Sequence, residues 1–295
     1  MTWLQLRLDT SREESESLED LMLASGAVAV TLEDNADQPL LEPGVGETPL
    51  WNEIRLTGLY PADADMAEVL SHFPEETLAR GNWRQEILED KDWEREWMKH
   101  YQPMRFGQRL WVCPSWLEPP EPDAVNLILD PGLAFGTGTH PTTSLCLAQL
   151  DGMDLDGTTV VDYGCGSGIL AVAALKLGAA TVLGVDNDPQ ALDASRDNAA
   201  RNGIAPERLP VALPGQYDSA AWAGRADLVV ANILAGPLIE LSGTLLGFLR
   251  PGGQLLLSGL LETQAGRLCE HYSARTDTQV AATREGWVCL LGKLQ

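Results

Sequence analysis

The sequence predicts an α/β protein: a mostly parallel sheet with helices on both faces, preceded by a small α+β module of ferredoxin-like type. Three observations carry that expectation. Val160 to Gly168, Val-Val-Asp-Tyr-Gly-Cys-Gly-Ser-Gly, sets glycines between a β-branched strand and an alanine- and leucine-rich helix. From Leu127 onward strand and helix patterns alternate, the arrangement that covers both faces of a parallel sheet. Residues 1–88 instead read strand, helix, strand, strand, helix, strand, which is the order of a ferredoxin-like sandwich and by itself says nothing of function.

In chain order, Thr2 to Leu8 alternates as a strand, and Glu13 to Ser25 has helical spacing with Leu18, Leu21 and Met22 on one face. Gly26 stops that helix. Ala27 to Leu32 and Glu53 to Leu59 read as strands, Ala64 to Leu70 as a helix, and Trp83 to Leu88 as a last strand. Glu89 to Tyr101 is a charged helical connector with Trp93 and Trp97 at i and i+4, read as packing anchors, and Pro103 ends it. Thr159 to Val161 opens the glycine turn, and Thr181 to Val185 is the next strand, ending at Asp186. Pro189 starts a helix through Asn202, because proline suits a first helical turn. Asp227 to Asn232 is a buried strand, Leu238 to Leu249 a helix, Pro251 to Gly253 a turn and Gln254 to Ser258 a strand. Thr283 to Lys293 fits a closing antiparallel edge strand.

Composition excludes several classes. No apolar run approaches the ~20 residues of a membrane span, and the start Met1-Thr-Trp-Leu-Gln-Leu lacks the basic residues of a signal peptide, so a soluble cytoplasmic protein is expected. The five cysteines include no Cys-x-x-Cys pair, so neither a disulfide framework nor a metal site is expected. Cys165 reads as a small residue filling a tight turn. The net charge is −23, and residues 1–100 carry most of it, with 23 Asp and Glu against 8 Lys and Arg. Such a field repels nucleic acid and either draws basic partners or simply keeps the protein soluble.

The chemistry is expected at the carboxyl edge of the sheet, where open α/β folds bind ligands. Gly164, Gly166 and Gly168 follow G-x-G-x-G spacing, shorter than the G-x-G-x-x-G of dinucleotide sites, and allow a sharp turn with a closely approaching ligand. Asp186 places an acceptor where ribose hydroxyls would lie. Asp162 and the Ser167 hydroxyl fit a cofactor with an amino-acid tail rather than phosphates. Asn232 either presents its amide to the ligand or caps the following helix. The segment Asp130 to Thr143 is rich in glycine and hydroxyl groups: Gly136 and Gly138 permit a lid, Phe135 a cover, and Thr142 or Thr143 a hydrogen bond to a cofactor carboxylate. His140 is either a base or a ligand of loop backbone groups.

Together, Asp130 to Thr143, Val160 to Gly168, Asn232 to Pro237 and the linker Lys91 to Trp97 resemble the PrmA-like family of class I S-adenosylmethionine-dependent methyltransferases, over nearly the whole chain. Phe-Gly-Thr-Gly-Thr-His-Pro-Thr-Thr, residues 135–143, is the most particular of these motifs. The resemblance implies a Rossmann-like sheet and S-adenosyl-L-methionine as methyl donor. It implies lysine side-chain and N-terminal α-amines of large-subunit ribosomal protein eleven as acceptors. By the same resemblance Thr143, Gly164, Asp186 and Asn232 contact the cofactor, with Gly166 in the same turn. Residues 1–88 would grip the substrate, 89–103 form a helical linker about which that domain moves, and 104–295 form the methyltransferase domain. A monomer is expected, with no direct nucleic-acid contact. No residue stands out as the catalytic base. The rival readings are a nicotinamide-dependent oxidoreductase on the same strand-turn-helix, a methyltransferase of another basic protein, and a non-catalytic ribosome-binding scaffold. A glutamine-amide methyltransferase is disfavoured because Asn232-Ile-Leu-Ala235 departs from Asn-Pro-Pro-Tyr.

Overall fold

The computed structural model describes residues 2–36, 38, 49–88, 101–130 and 138–295. The chain divides into two compact units, Met1–Met98 and Lys99–Gln295. The expected linker helix with Trp93 and Trp97, and Phe135 and Gly136 of the expected lid, lie outside the described residues.

The first unit is built of β1 (Trp3–Ser11), α1 (Arg12–Ala24), β2 (Ala29–Asp34), β3 (Glu53–Pro61), α2 (Met66–Ser71), α3 (Glu75–Ala79) and β4 (Trp83–Leu88). Its antiparallel sheet has the order β2-β3-β1-β4. The alternation of β1 sets the buried face of this sheet: Leu4, Leu6 and Leu8 share a core with Leu18 and Met22 of α1 and Met66 and Val69 of α2. Gly26 stops the chain beyond α1 with φ +102°. Helix α2 begins later than the sequence pattern indicates, because the Asp65 carboxylate accepts from the amides of Ala67 and Glu68 and so sets the N-cap.

The second unit opens with a small sheet, β5 (Met104–Phe106), β6 (Leu110–Cys113) and β7 (Val125–Ile128). The strand at Leu127 therefore pairs with β6 rather than founding the large sheet. The large sheet consists of β8 (Thr159–Tyr163), β9 (Thr181–Val185), β10 (Val211–Ala212), β11 (Ala226–Asn232), β12 (Leu249–Leu261), β13 (Gln279–Arg284) and β14 (Trp287–Lys293). Its order is β10-β9-β8-β11-β12-β14-β13, parallel from β10 to β12 and antiparallel at β14 and β13. Strand order reverses between β8 and β11, which makes their carboxyl ends the switch point where such sheets hold ligands.

Helices α4 (Pro141–Gly152) and α5 (Ile169–Lys176) cover one face over Val160, Val182 and Val230. The helices α8 (Ala235–Glu240), α9 (Ser242–Phe248) and α10 (Glu262–Tyr272) cover the other over Val161, Leu183 and Val229. Adjacent residues of one strand thus feed opposite cores, and both faces are apolar, which is why the inner strands read as continuous runs. The remaining helices are α6 (Pro189–Arg201) and the short α7 (Ser219–Trp222).

Three expectations change here. The helix expected over Leu238 to Leu249 breaks in two, because Leu241 at φ −88° and ψ 1° leaves helical geometry. Pro251 to Gly253 does not interrupt the strand: β12 runs through it, absorbing Gly252 at φ +75° where the register with β11 shifts. The single closing strand is a hairpin, turning at Glu285 (φ +53°) and Gly286 (φ +78°), with β14 inside and β13 at the edge.

Candidate functional site

The glycine turn is tied down on both sides. The amides of Gly164 and Cys165 donate to the Val185 carbonyl at 2.7 and 3.1 Å, which seats the turn on the end of β9. From α6, Ser195 Oγ donates to the Gly166 carbonyl at 3.0 Å and Asn198 Nδ2 donates to the Ser167 carbonyl at 2.8 Å. Gly164, Gly166 and Gly168 all have positive φ, of 79°, 52° and 76°. A Cβ on Gly164 would lie 2.3 Å from Ile233 Cγ2, and one on Gly168 would lie 3.0 Å from the Ser195 Cα. Glycine is therefore required twice over at both positions.

Asp186 closes this loop. Its Oδ2 accepts from Gly166 N at 2.8 Å and its Oδ1 from Asp188 N at 3.0 Å. Each carboxylate oxygen has a second lone pair for a ligand hydroxyl. Gly164, Gly166, Asp186 and Asn232 line one cavity of about 630 Å³. His140, Thr142, Tyr163 and Trp287 contribute further walls, and Ile233, Leu234, Pro237 and Leu241 an apolar side. Among the described residues no Lys or Arg lines it, so its only formal charge is the Asp186 carboxylate. That charge suits a cationic ligand and offers nothing to a pyrophosphate beyond backbone amides. Another cavity, of about 660 Å³, is lined by Arg109, Asp151, Asp154 and Asp156 and shares no residue with it.

Thr143 does not line the cavity but fixes a residue that does. Its buried Oγ1 accepts a hydrogen bond from Asn232 Nδ2 at 3.2 Å. Among the described residues Asn232 Oδ1 is left buried with no hydrogen-bond partner. A buried acceptor with no partner carries the desolvation cost of about 1–3 kcal/mol unless a ligand satisfies it. Asn232 does not cap the following helix: α8 starts after Leu234 with no side-chain cap. His140 resolves the other way. Its Nδ1 receives the Thr142 amide at 3.3 Å and lies 2.7 Å from Thr142 Oγ1, so the ring caps α4. Burial lowers its pKa below the usual value while Glu285 opposes that, and an accepting Nδ1 likewise requires the neutral ring.

Asp162 and Ser167 are buried and line no part of the cavity, so they support the turn from behind. Asp162 Oδ2 accepts from Ala171 N at 3.0 Å, which joins β8 to α5. Burial raises the Asp162 carboxyl to about 7, against the Ala171 hydrogen bond, and the Asp186 charge adds to the rise. The folded protein thus holds a proton that the unfolded chain has released above about pH 4. The stabilisation from this group is complete below that pH and lost as pH rises through about 7. Asp162→Asn is accordingly expected to gain in melting temperature relative to the parent between pH 5 and pH 8. Parallel melting curves across that range that keep a constant offset would contradict this. Cys165 is buried in the turn and its thiol is pushed up to about 12 by burial, which fits an inert packing residue.

Sequence reasoning missed Ser195, Asn198, Ile233 and Gly259. The first two carry a signal, two polar residues three apart on the apolar face of α6 beside Leu192 and Ala199. Gly259 carries none: a Cβ there would lie 2.4 Å from the Ile233 carbonyl oxygen, a contact between segments distant in sequence pattern.

Comparison with known proteins agrees with this architecture. The family described as ribosomal protein L11 methyltransferase (PrmA) matches residues 2–295. A protein of Pseudomonas paraeruginosa named ribosomal protein L11 methyltransferase is 55% identical over 99% of both chains. Its namesake in Serratia proteamaculans is likewise 55% identical over 99% of both. The crystal structure of a ribosomal protein L11 methylase from Lactobacillus delbrueckii subsp. bulgaricus superposes with a TM-score of 0.57 at 34% identity, covering 66% of this chain and 100% of that one. The large sheet is thus the Rossmann-like sheet of a class I methyltransferase, and the nicotinamide-dependent reading falls away. By the match along its whole length, the chain belongs to the ribosomal protein L11 methyltransferase (PrmA) family.

Proposed function

We propose that this protein transfers methyl groups from S-adenosyl-L-methionine to lysine side-chain amines and the N-terminal α-amine of ribosomal protein L11. The carrying observation is Asn232, which lines the cavity with Gly164 and Asp186, whose amide is oriented by Thr143 and whose buried Oδ1 has no partner among the described residues. The family's substrate supports the choice of acceptor protein, and the acidic first hundred residues suit a basic partner.

The residues present fit this donor. Gly164 and Gly166 leave room for close approach, Asp186 offers acceptors for ribose hydroxyls, and Asn232 and Thr142 offer polar groups to an amino-acid tail. S-adenosyl-L-methionine, when bound, supplies a methyl group already activated on a sulfonium. The protein's share is then orientation, which supplies roughly 7–11 kcal/mol in favourable cases. Asn232 Oδ1 and neighbouring carbonyls accept from the incoming nitrogen and aim its lone pair. Only a neutral amine attacks, and lysine at about 10.4 must lose its proton less readily than an α-amine at about 7.7–8.0. With His140 engaged at Nδ1 as the cap of α4, the proton passes to water. Residues 1–88 serve as the substrate-recognition domain, 89–103 as linker and 104–295 as catalytic domain, acting as a monomer in the cytoplasm. No described helix is long and apolar enough to cross a membrane.

Incubating the enzyme with labelled donor and total ribosomal proteins, then measuring intact masses, tests the reading. Mass increments of one or more methyl groups on L11 are expected. Label on RNA or on other proteins with none on L11 would refute the assignment.

A further inference from the structure

Leu234 is the side chain of the cavity whose placement its fold does not explain. It is 54% exposed, and of the large apolar side chains standing exposed among the described residues, which also include Leu23, Val28, Ile87 and Val280, it alone lines this cavity. Its backbone is pinned: the carbonyl accepts from Leu238 N at 3.1 Å, and φ −60° with ψ 155° sets it as the entry residue of α8. The side chain is therefore held at the rim by a fixed main chain, and among the described residues more than half of it stays uncovered.

Its position separates it from the nucleoside end of the cavity. Asp186 follows β9 and Asn232 ends β11, and β8 lies between those strands, so the two residues stand two strand spacings apart, about 10 Å. Leu234 follows Asn232 by two residues and lines the same cavity, so it belongs to the Asn232 side, where the proposed function brings the acceptor nitrogen. The two acceptor classes differ on that path. A lysine nitrogen comes on an unbranched stem of four methylenes, while an α-amine sits directly on the backbone, among polar amide groups. An exposed leucine beside the entry rewards the first and is indifferent to the second.

We infer that Leu234 is a specificity-determining residue, packing on the aliphatic stem of a lysine acceptor and favouring lysine over α-amine methylation. This rests on the proposed amine methylation of L11. The test uses the full-length enzyme with ribosomal protein L11 and labelled S-adenosyl-L-methionine, and reads methyl groups at each site by peptide mass. Leu234→Ala is expected to lower the ratio of lysine to α-amine methylation about 10-fold, the lower end of what a lost apolar contact does to discrimination. Leu234→Met, which keeps an apolar side chain of similar volume, is expected to restore the ratio to within about 2-fold of the parent. An unchanged ratio in Leu234→Ala, whether both rates fall together or both persist, would overturn the assignment while leaving the proposed function standing. Parent enzyme that labels neither kind of amine would overturn both.

Discussion

Asn232→Ala is expected to reduce kcat/KM for methyl transfer to L11 by about 100-fold, the scale on which losing a preorganised polar group in a transition-state site acts. The reason is the asymmetry of its amide. Nδ2 is occupied by Thr143 Oγ1, so Oδ1 is directed and buried, without a partner among the described residues. Directing that atom is the work of the fold, and in the proposed reaction satisfying it falls to the ligand and the incoming amine. The same asymmetry predicts that stability will hardly change. Alanine loses one hydrogen bond, worth about 0.5–1.5 kcal/mol, and removes an unsatisfied acceptor costing about 1–3 kcal/mol. Asn232→Asp keeps an acceptor, and Thr143 Oγ1 can turn to donate to it, so intermediate activity is expected. Steady-state kinetics, calorimetric titration with the donor and melting curves read all three quantities. An Asn232→Ala protein with unchanged donor affinity and turnover would remove Asn232 from the site.

Gly164→Ala should be the most damaging small substitution in the turn. Placing a side chain at φ +79° costs about 1–2 kcal/mol, and the new methyl meets Ile233 Cγ2 at 2.3 Å. Overpacking of that kind costs about 1–3 kcal/mol more. At about 2–4 °C per kcal/mol for a unit of this size, the melting temperature is expected to fall by roughly 5–15 °C. Ile233 lines the cavity, so relief of the clash displaces a wall, and donor affinity is expected to fall by more than about 10-fold. Gly203→Ala is the control: its φ is +69° and nothing lies within 4 Å of the place its Cβ would take, so it bears the backbone strain without the clash. Equal losses of stability and of donor affinity in the two variants would show that Ile233 plays no part.

The glycine turn, the two strands that flank it and the acid at Asp186 were legible because each is a local pattern: buried inner strands are continuous apolar runs, and a turn with positive φ asks for glycine. The ferredoxin-like order of the first unit was legible for the same reason, from the alternation in β1 and the helix stop at Gly26. The breaks at Leu241 and at Glu285–Gly286 were not, because a residue's ψ at a helix junction and the pairing of a hairpin depend on what packs against them. His140 and Asn232 each carried two readings in the sequence. The structure decided both: the Thr142 amide and hydroxyl, two residues on, engage His140 Nδ1, and packing of distant segments brings Thr143 Oγ1 to Asn232.

By itself, then, the sequence determined the class of fold, the spacing of the glycine turn and the acidic character of the first hundred residues. Only the tertiary structure decided which polar atoms are spent on the protein and which are left for a ligand. Hydrogen-bond satisfaction is a property of neighbours in space, and Thr143 and Asn232, 89 positions apart in the chain, become neighbours only when α4 packs beside the end of β11.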